Sequence, residues 1–132
     1  MKRGIEGALK VARLRGQVTI FRNGPECAFN FMIRTLAGNF FIRLRYITML
    51  HKPVGTIEAE NRDLLALLRS QAGPVRDAAE IWFYNKHGSY RYFRIGESGL
   101  TELDCTGAVP TAEDFLPDQG QPGRSPDLNE GS

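Results

Sequence analysis

Two stretches of strong polar–apolar alternation, Cys27 to Leu36 and Asn39 to Thr48, are separated only by Ala37-Gly38, and they constrain the chain more than any other feature. Strand side chains alternate with period two, so this pattern on a helix would scatter its apolar residues around the axis. The spacing predicts a β-hairpin, with glycine supplying the unusual backbone angle at the turn. Phe29, Phe31 and Ile33 then share one face with Phe40, Ile42 and Leu44, while Asn30, Arg34, Arg43 and Arg45 point to the other. With Ala37-Gly38 as a two-residue loop, Asn30 stands opposite Arg45 and Met32 opposite Arg43.

The flanking segments supply further elements. Ile5, Ala8, Leu9 and Ala12 recur at helical spacing, and Gly16 follows where a helix C-terminus favours a residue tolerant of left-handed angles. A helix is expected over Lys2 to Arg15, then a strand over Gln17 to Arg22, stopped by Asn23-Gly24-Pro25. Beyond Lys52-Pro53-Val54-Gly55, Thr56 is a good N-cap, and Ile57, Asn61, Leu64, Leu65 and Leu68 stripe one second helix ending before Gly73-Pro74. Glu80 to Lys86 and Tyr90 to Ile95 read as aromatic strands, with Leu100 to Leu103 as a short terminal addition. The order is α-β-β-β-α-β-β, an α/β fold.

At 132 residues and 42% hydrophobic content, the chain can bury one core without staples. Residues 1–103 are read as the domain. From Asp104 onward, Pro110, Pro117, Pro122 and Pro126 are interspersed with glycines and acids, so 104–132 is expected to be a disordered acidic tail. The net charge of +2 conceals a split: 16 Lys/Arg against 9 Asp/Glu in residues 1–103, and 1 against 6 beyond. Such a basic domain suits a polyanion partner. No apolar run long enough for a membrane span and no signal-peptide pattern occurs, which makes the cytoplasm the expected compartment. Cys27 and Cys105 lie far apart without a CxxC pair, and His51 and His87 sit beside turns, so no metal site is indicated. Trp82, Tyr84, Tyr90, Tyr92 and Phe93, interleaved with Arg91 and Arg94, could stack bases, but Ile81, Phe83, Phe93 and Ile95 mark a core face and favour packing.

Gly4-Ile5-Glu6-Gly7 at the start of the first helix, Pro25-Glu26-Cys27-Ala28-Phe29-Asn30 and Ile42-Arg43-Leu44-Arg45, in this element order, resemble the restriction-endonuclease-like or PD-(D/E)XK nuclease superfamily, including Holliday-junction-resolvase-like domains. The resemblance spans about Lys2 to Leu103 and implies a three-layer core around a mixed central sheet. In that family a helix-one Glu, a strand-two Asp and a strand-three Glu hold a divalent metal, and a Lys two residues after the last acid assists the attacking water. Here Glu6 remains, but Asn30 occupies the Asp position, Arg43 the Glu position and Arg45 the Lys position. An arginine in place of an acid repels a cation, so the remnant is catalytically degenerate and suited to phosphate rather than metal.

The resulting expectation is a nucleic-acid partner, DNA, held without cleavage or cofactor by a basic sheet face of Arg34, Arg43 and Arg45 with Lys10 and Arg13 nearby. Against it stands the possibility that these arginines merely solvate the sheet or pair with Glu58 and Glu60, and that Glu6 forms an ordinary helical pair with Lys10. The resemblance and the aromatic strands also suggest a homodimer. Two alternatives are a protein-interaction or assembly module whose tail shields the basic surface, and a Mg²⁺-dependent nuclease rebuilt with Glu26 or Glu60.

Overall fold

The computed structural model describes residues 2–21, 28–72, 78–97 and 99–110. In chain order the elements are α1 (Lys2–Arg15), β1 (Gln17–Ile20), β2 (Phe31–Thr35), β3 (Gly38–Tyr46), α2 (Val54–Glu60), α3 (Arg62–Ala72), β4 (Ala78–Tyr84), β5 (Tyr90–Ile95) and β6 (Leu100–Leu103). The six strands lie side by side in sequence order, antiparallel everywhere except between β3 and β4. Parallel neighbours need a long crossover, which α2 and α3 provide. None of the described helices is long and apolar enough to cross a membrane.

The middle of the sheet is covered on both faces. Ala8, Leu9 and Ala12 of α1 meet Phe31, Ile33, Ile42 and Trp82 on one side. Ile57, Leu65 and Leu68 of α2 and α3 meet Ala79, Ile81, Phe83 and Phe93 on the other. The central strand β4 therefore reads as an almost unbroken buried run, as expected of a strand covered from both sides.

The hairpin forms in a different register from the one expected. Its turn is Leu36-Ala37, with Thr35 opposite Gly38, Met32 opposite Phe41 and Phe31 opposite Ile42. The Thr35 hydroxyl closes the turn, accepting the Ala37 N–H (3.1 Å) and donating to the Gly38 carbonyl (3.0 Å). Gly38 leaves the turn at φ 139°, a conformation that side chains resist. Asn30 consequently does not face Arg45. Its N–H donates to the Ile42 carbonyl (2.8 Å), and its Oδ1 accepts the Leu44 N–H (2.7 Å). Phe29 departs as well and joins the α2/α3 side, and the neighbouring Ala28 N–H donates to Gln71 Oε1 (2.9 Å).

The second helix divides in two at Asn61. Its Nδ2 and its backbone N–H both donate to the Ile57 carbonyl (2.8 and 3.1 Å), and its backbone departs from helical angles at φ −116° and ψ 23°. The helix also starts earlier than expected, at Val54 behind Pro53, where proline's fixed angle suits a helix entrance; Thr56 lies inside it. Gly16 serves close approach rather than left-handed geometry, since a Cβ there would lie 2.3 Å from the Arg34 carbonyl oxygen. Beyond β6, Asp104 to Gly107 form a turn whose Gly107 carbonyl accepts Arg94 Nη2 (3.0 Å). The rest of the expected tail, 111–132, falls outside the described residues, as do Glu26 and Cys27.

On the α1 side the core encloses a charge. Glu80 is wholly buried, and both its oxygens accept from Arg15 (Nη1 2.9 Å, Nη2 2.8 Å). Trp82 Nε1 donates to Oε1 at 2.9 Å, and Arg94 approaches Oε2 at 3.7 Å. The Arg15 guanidinium lies over the Phe40 ring (5.2 Å) and the Trp82 ring (5.9 Å). Removing one member of a buried pair strands the other, so Glu80→Ala is expected to cost about 3–5 kcal/mol of stability. Urea unfolding followed by the fluorescence of Trp82, the chain's only tryptophan, measures this. Arg94→Ala is expected to cost clearly less, because that side chain is more than a third exposed. Equal losses from the two variants would contradict Arg15 as the principal partner of Glu80.

Candidate nucleic-acid interface

A cleft of about 960 Å³ opens on the α1 side, where β3 and β4 end. One wall is α1: Glu6, Lys10 and Arg13 stand at i, i+4 and i+7, hence on one helix face, and all three are exposed. The floor comes from the strand ends, Tyr46 of β3, Tyr84 of β4 and Tyr90 of β5. The far rim is the β4–β5 turn, which carries the exposed Lys86 and His87. Asn85 Oδ1 holds that turn by accepting the N–H groups of His87 and Ser89 (both 3.0 Å), and Gly88 completes it at φ 80°.

The tyrosines form a continuous row. Tyr46 meets Tyr84 edge-on at 5.6 Å, Tyr84 meets Tyr90 at 6.0 Å, and Tyr90 stacks on Tyr92 at 6.1 Å. Tyr46 is 40% exposed at the open end. Burial, followed by the neighbouring tyrosine, raises the ionisation of Tyr84 and Tyr90 above the ordinary phenol range. Lys10, Arg13 and Lys86 face one carboxylate, Glu6, giving the cleft a positive balance.

The other expected basic residues lie elsewhere. Arg43 and Arg45 pair with Ile81 and Phe83, and so belong to the α2/α3 face, opposite Lys10 and Arg13. Arg34 shares that face, but its cross-strand partner Asn39 is six residues from Arg45, about 20 Å along the strand. Arg45 lines a notch with Glu60, Arg62 and Asp63, where two acids balance two bases. Arg43 is half-buried, and its Nη1 donates to the Ala28 carbonyl (2.8 Å). Its Nε is buried without a hydrogen-bond partner. Burial, then the adjacent Arg45, lowers its pKa. The five expected residues thus form no single face: Lys10 and Arg13 join the cleft, whereas Arg34, Arg43 and Arg45 do not.

The metal remnants are separated in the same way. Glu6 lies on the α1 side, and the Asn30 oxygen is taken by the Leu44 N–H. Glu60 is paired with Lys52 at 2.8 Å, and Glu58 accepts the Leu100 N–H at 2.7 Å. Among the described residues no three His, Cys, Asp or Glu side chains come together. This donor set does not fit a divalent cation at the remnant. Sequence reasoning missed Tyr46 and Lys86 as cleft residues, although an aromatic at the end of one strand and a lysine-bearing turn after another are both legible signals. No family model, no curated protein and no solved structure matches the chain.

Tyr92, at the inner end of this row, has its pKa pushed up to about 12, first by burial, then by Cys105 and Tyr90, against an opposing effect of Arg15. An unfolded tyrosine ionises near 10. Between those values the folded chain holds a proton that the unfolded chain has lost, so stability present below about pH 10 falls as pH rises towards 12. Urea midpoints measured across that window should fall more steeply for the native chain than for Tyr92→Phe. Parallel slopes would contradict the burial of this phenol.

Proposed function

We propose that this chain is a non-catalytic nucleic-acid-binding domain of restriction-endonuclease-like type that binds DNA at the α1 cleft. The observation that carries this reading is the placement of Lys10, Arg13 and Lys86 around a floor of tyrosine rings. Phosphates attract the cations and release counterions, while the rings offer apolar contact to bases and sugars. The order of one helix, three strands, a helical crossover and further strands is compatible with the α-β-β-β-α-β-β order on which the nuclease resemblance rests, with β6 as an addition. The separation of Glu6 from Asn30, Arg43 and Arg45 argues against hydrolysis at those positions. Balanced charge around Arg45 makes the opposite face the weaker candidate for a polyanion.

A protein-interaction reading draws on one specific feature. Leu14 is 87% exposed beside a groove also lined by Phe40, Ala37 and Ala108, an apolar surface suited to another chain, including a second copy.

Fluorescence anisotropy of labelled DNA titrated with the full chain at several salt concentrations separates the two. Binding is expected to weaken with salt, and Lys10→Ala/Arg13→Ala should reduce the slope of log K against log salt by about 1.4 to 1.8, for two phosphate contacts. Arg34→Ala/Arg45→Ala should change affinity by less than about twofold. No binding at low salt would overturn the nucleic-acid reading in favour of the protein-interaction one. A loss confined to the Arg34/Arg45 variant would move the interface to the other face.

A further inference from the structure

Resting on the nucleic-acid reading, we infer that the cleft takes unpaired nucleotides, a single-stranded stretch or frayed end, rather than the duplex. A volume of about 960 Å³ sits at the upper end of the range of about 300–1,000 Å³ for sites that enclose small molecules. A few unstacked nucleotides fit such a space, whereas a duplex keeps its bases paired and stacked inside and offers the cleft mainly its backbone. The composition of the cleft points the same way. Cations placed for phosphates would suffice for a duplex backbone, but here they border aromatic rings.

Bases within a duplex have both faces covered by their neighbours, so a tyrosine gains stacking only from a base that has left the helix. Tyr46 is the ring placed to do this. It sits at the open end of the row, 40% exposed, and Tyr84 braces it edge-on at 5.6 Å. A strand lying along α1 would set its phosphates on Lys10 and Arg13 and turn a base towards Tyr46, with Lys86 meeting a phosphate across the cleft. Glu6, one turn before Lys10, accepts hydrogen bonds and cannot donate them, so it suits a base amino group rather than a phosphate.

The test uses the full chain, a labelled single-stranded oligonucleotide of a sequence that cannot self-pair and a labelled blunt two-strand duplex of half its length, hence about the same phosphate number, compared by anisotropy at one low salt concentration. The single strand is expected to bind about tenfold more tightly or better, the scale of one stacked base. Tyr46→Ala should lower single-strand affinity about tenfold and leave duplex affinity within about twofold. Tyr46→Phe, which keeps the ring, should retain single-strand binding. Equal binding of the two probes, or equal effects of Tyr46→Ala on both, would overturn the preference for unpaired nucleotides while leaving nucleic-acid binding intact. No binding of either probe would overturn both.

Discussion

The carboxylate of Glu80 sits at the centre of the sheet with no exposed surface, and the α1 half of the molecule is arranged around satisfying it. A buried carboxylate is tolerable only with charge and hydrogen bonds close by, and its partners come from separate parts of the chain. Arg15 arrives from the end of α1, Trp82 from the same strand, and Arg94 from β5. Because Arg15 is the last residue of α1, this pairing anchors the helix end over β4. Arg94 extends the same constraint to the turn after β6 through the Gly107 carbonyl. Replacing such a group by apolar residues of similar volume can be neutral in stability, but here the contacts of Glu80 also tie the end of α1 to β4.

That anchoring makes the cleft possible. With the C-terminal end of α1 tied over Glu80, its exposed row of Glu6, Lys10 and Arg13 runs beside the ends of β3 and β4, where Tyr46 and Tyr84 emerge. On the α2/α3 face three arginines are occupied structurally, Arg91 bonding Glu102 and the carbonyls of Leu50 and Lys52, Arg69 the Gly96 carbonyl and Arg43 the Ala28 carbonyl, while Arg34 and Arg45 are exposed. On the α1 side the cleft cations Lys10, Arg13 and Lys86 remain exposed, the condition for meeting phosphates in solution.

Much of this architecture was legible from local patterning. Alternation around residues 27–48 predicted the hairpin, and helical spacing of Ile5, Ala8, Leu9 and Ala12 predicted the face of α1 that packs on it. Register was less legible, because it depended on the Thr35 hydroxyl closing a turn one residue earlier than the Ala37-Gly38 pair suggested. Asn61 was read as one residue of a continuous stripe, whereas its amide competes with the helix backbone and divides it. Glu80 carried no sequence signal for burial, since its partners Arg15 and Arg94 lie 65 and 14 residues away, and only the fold brings them together. The same reason separates the expected basic set: period two correctly grouped Arg34, Arg43 and Arg45, but the side occupied by Lys10 and Arg13 was fixed by which face α1 covers.

On the proposed function, the α1 cleft receives nucleic acid and the arginine-bearing face behind it does not. Backbone amide NMR spectra of the isotope-labelled chain, recorded as a short single-stranded oligonucleotide is added, test it most directly. The expected result is progressive shifts at Lys10, Arg13, Tyr46, Tyr84, Lys86 and His87, with Arg34 and Arg45 unmoved. Shifts concentrated at Arg34, Arg43 and Arg45, or no shifts at a large excess of oligonucleotide, would contradict it.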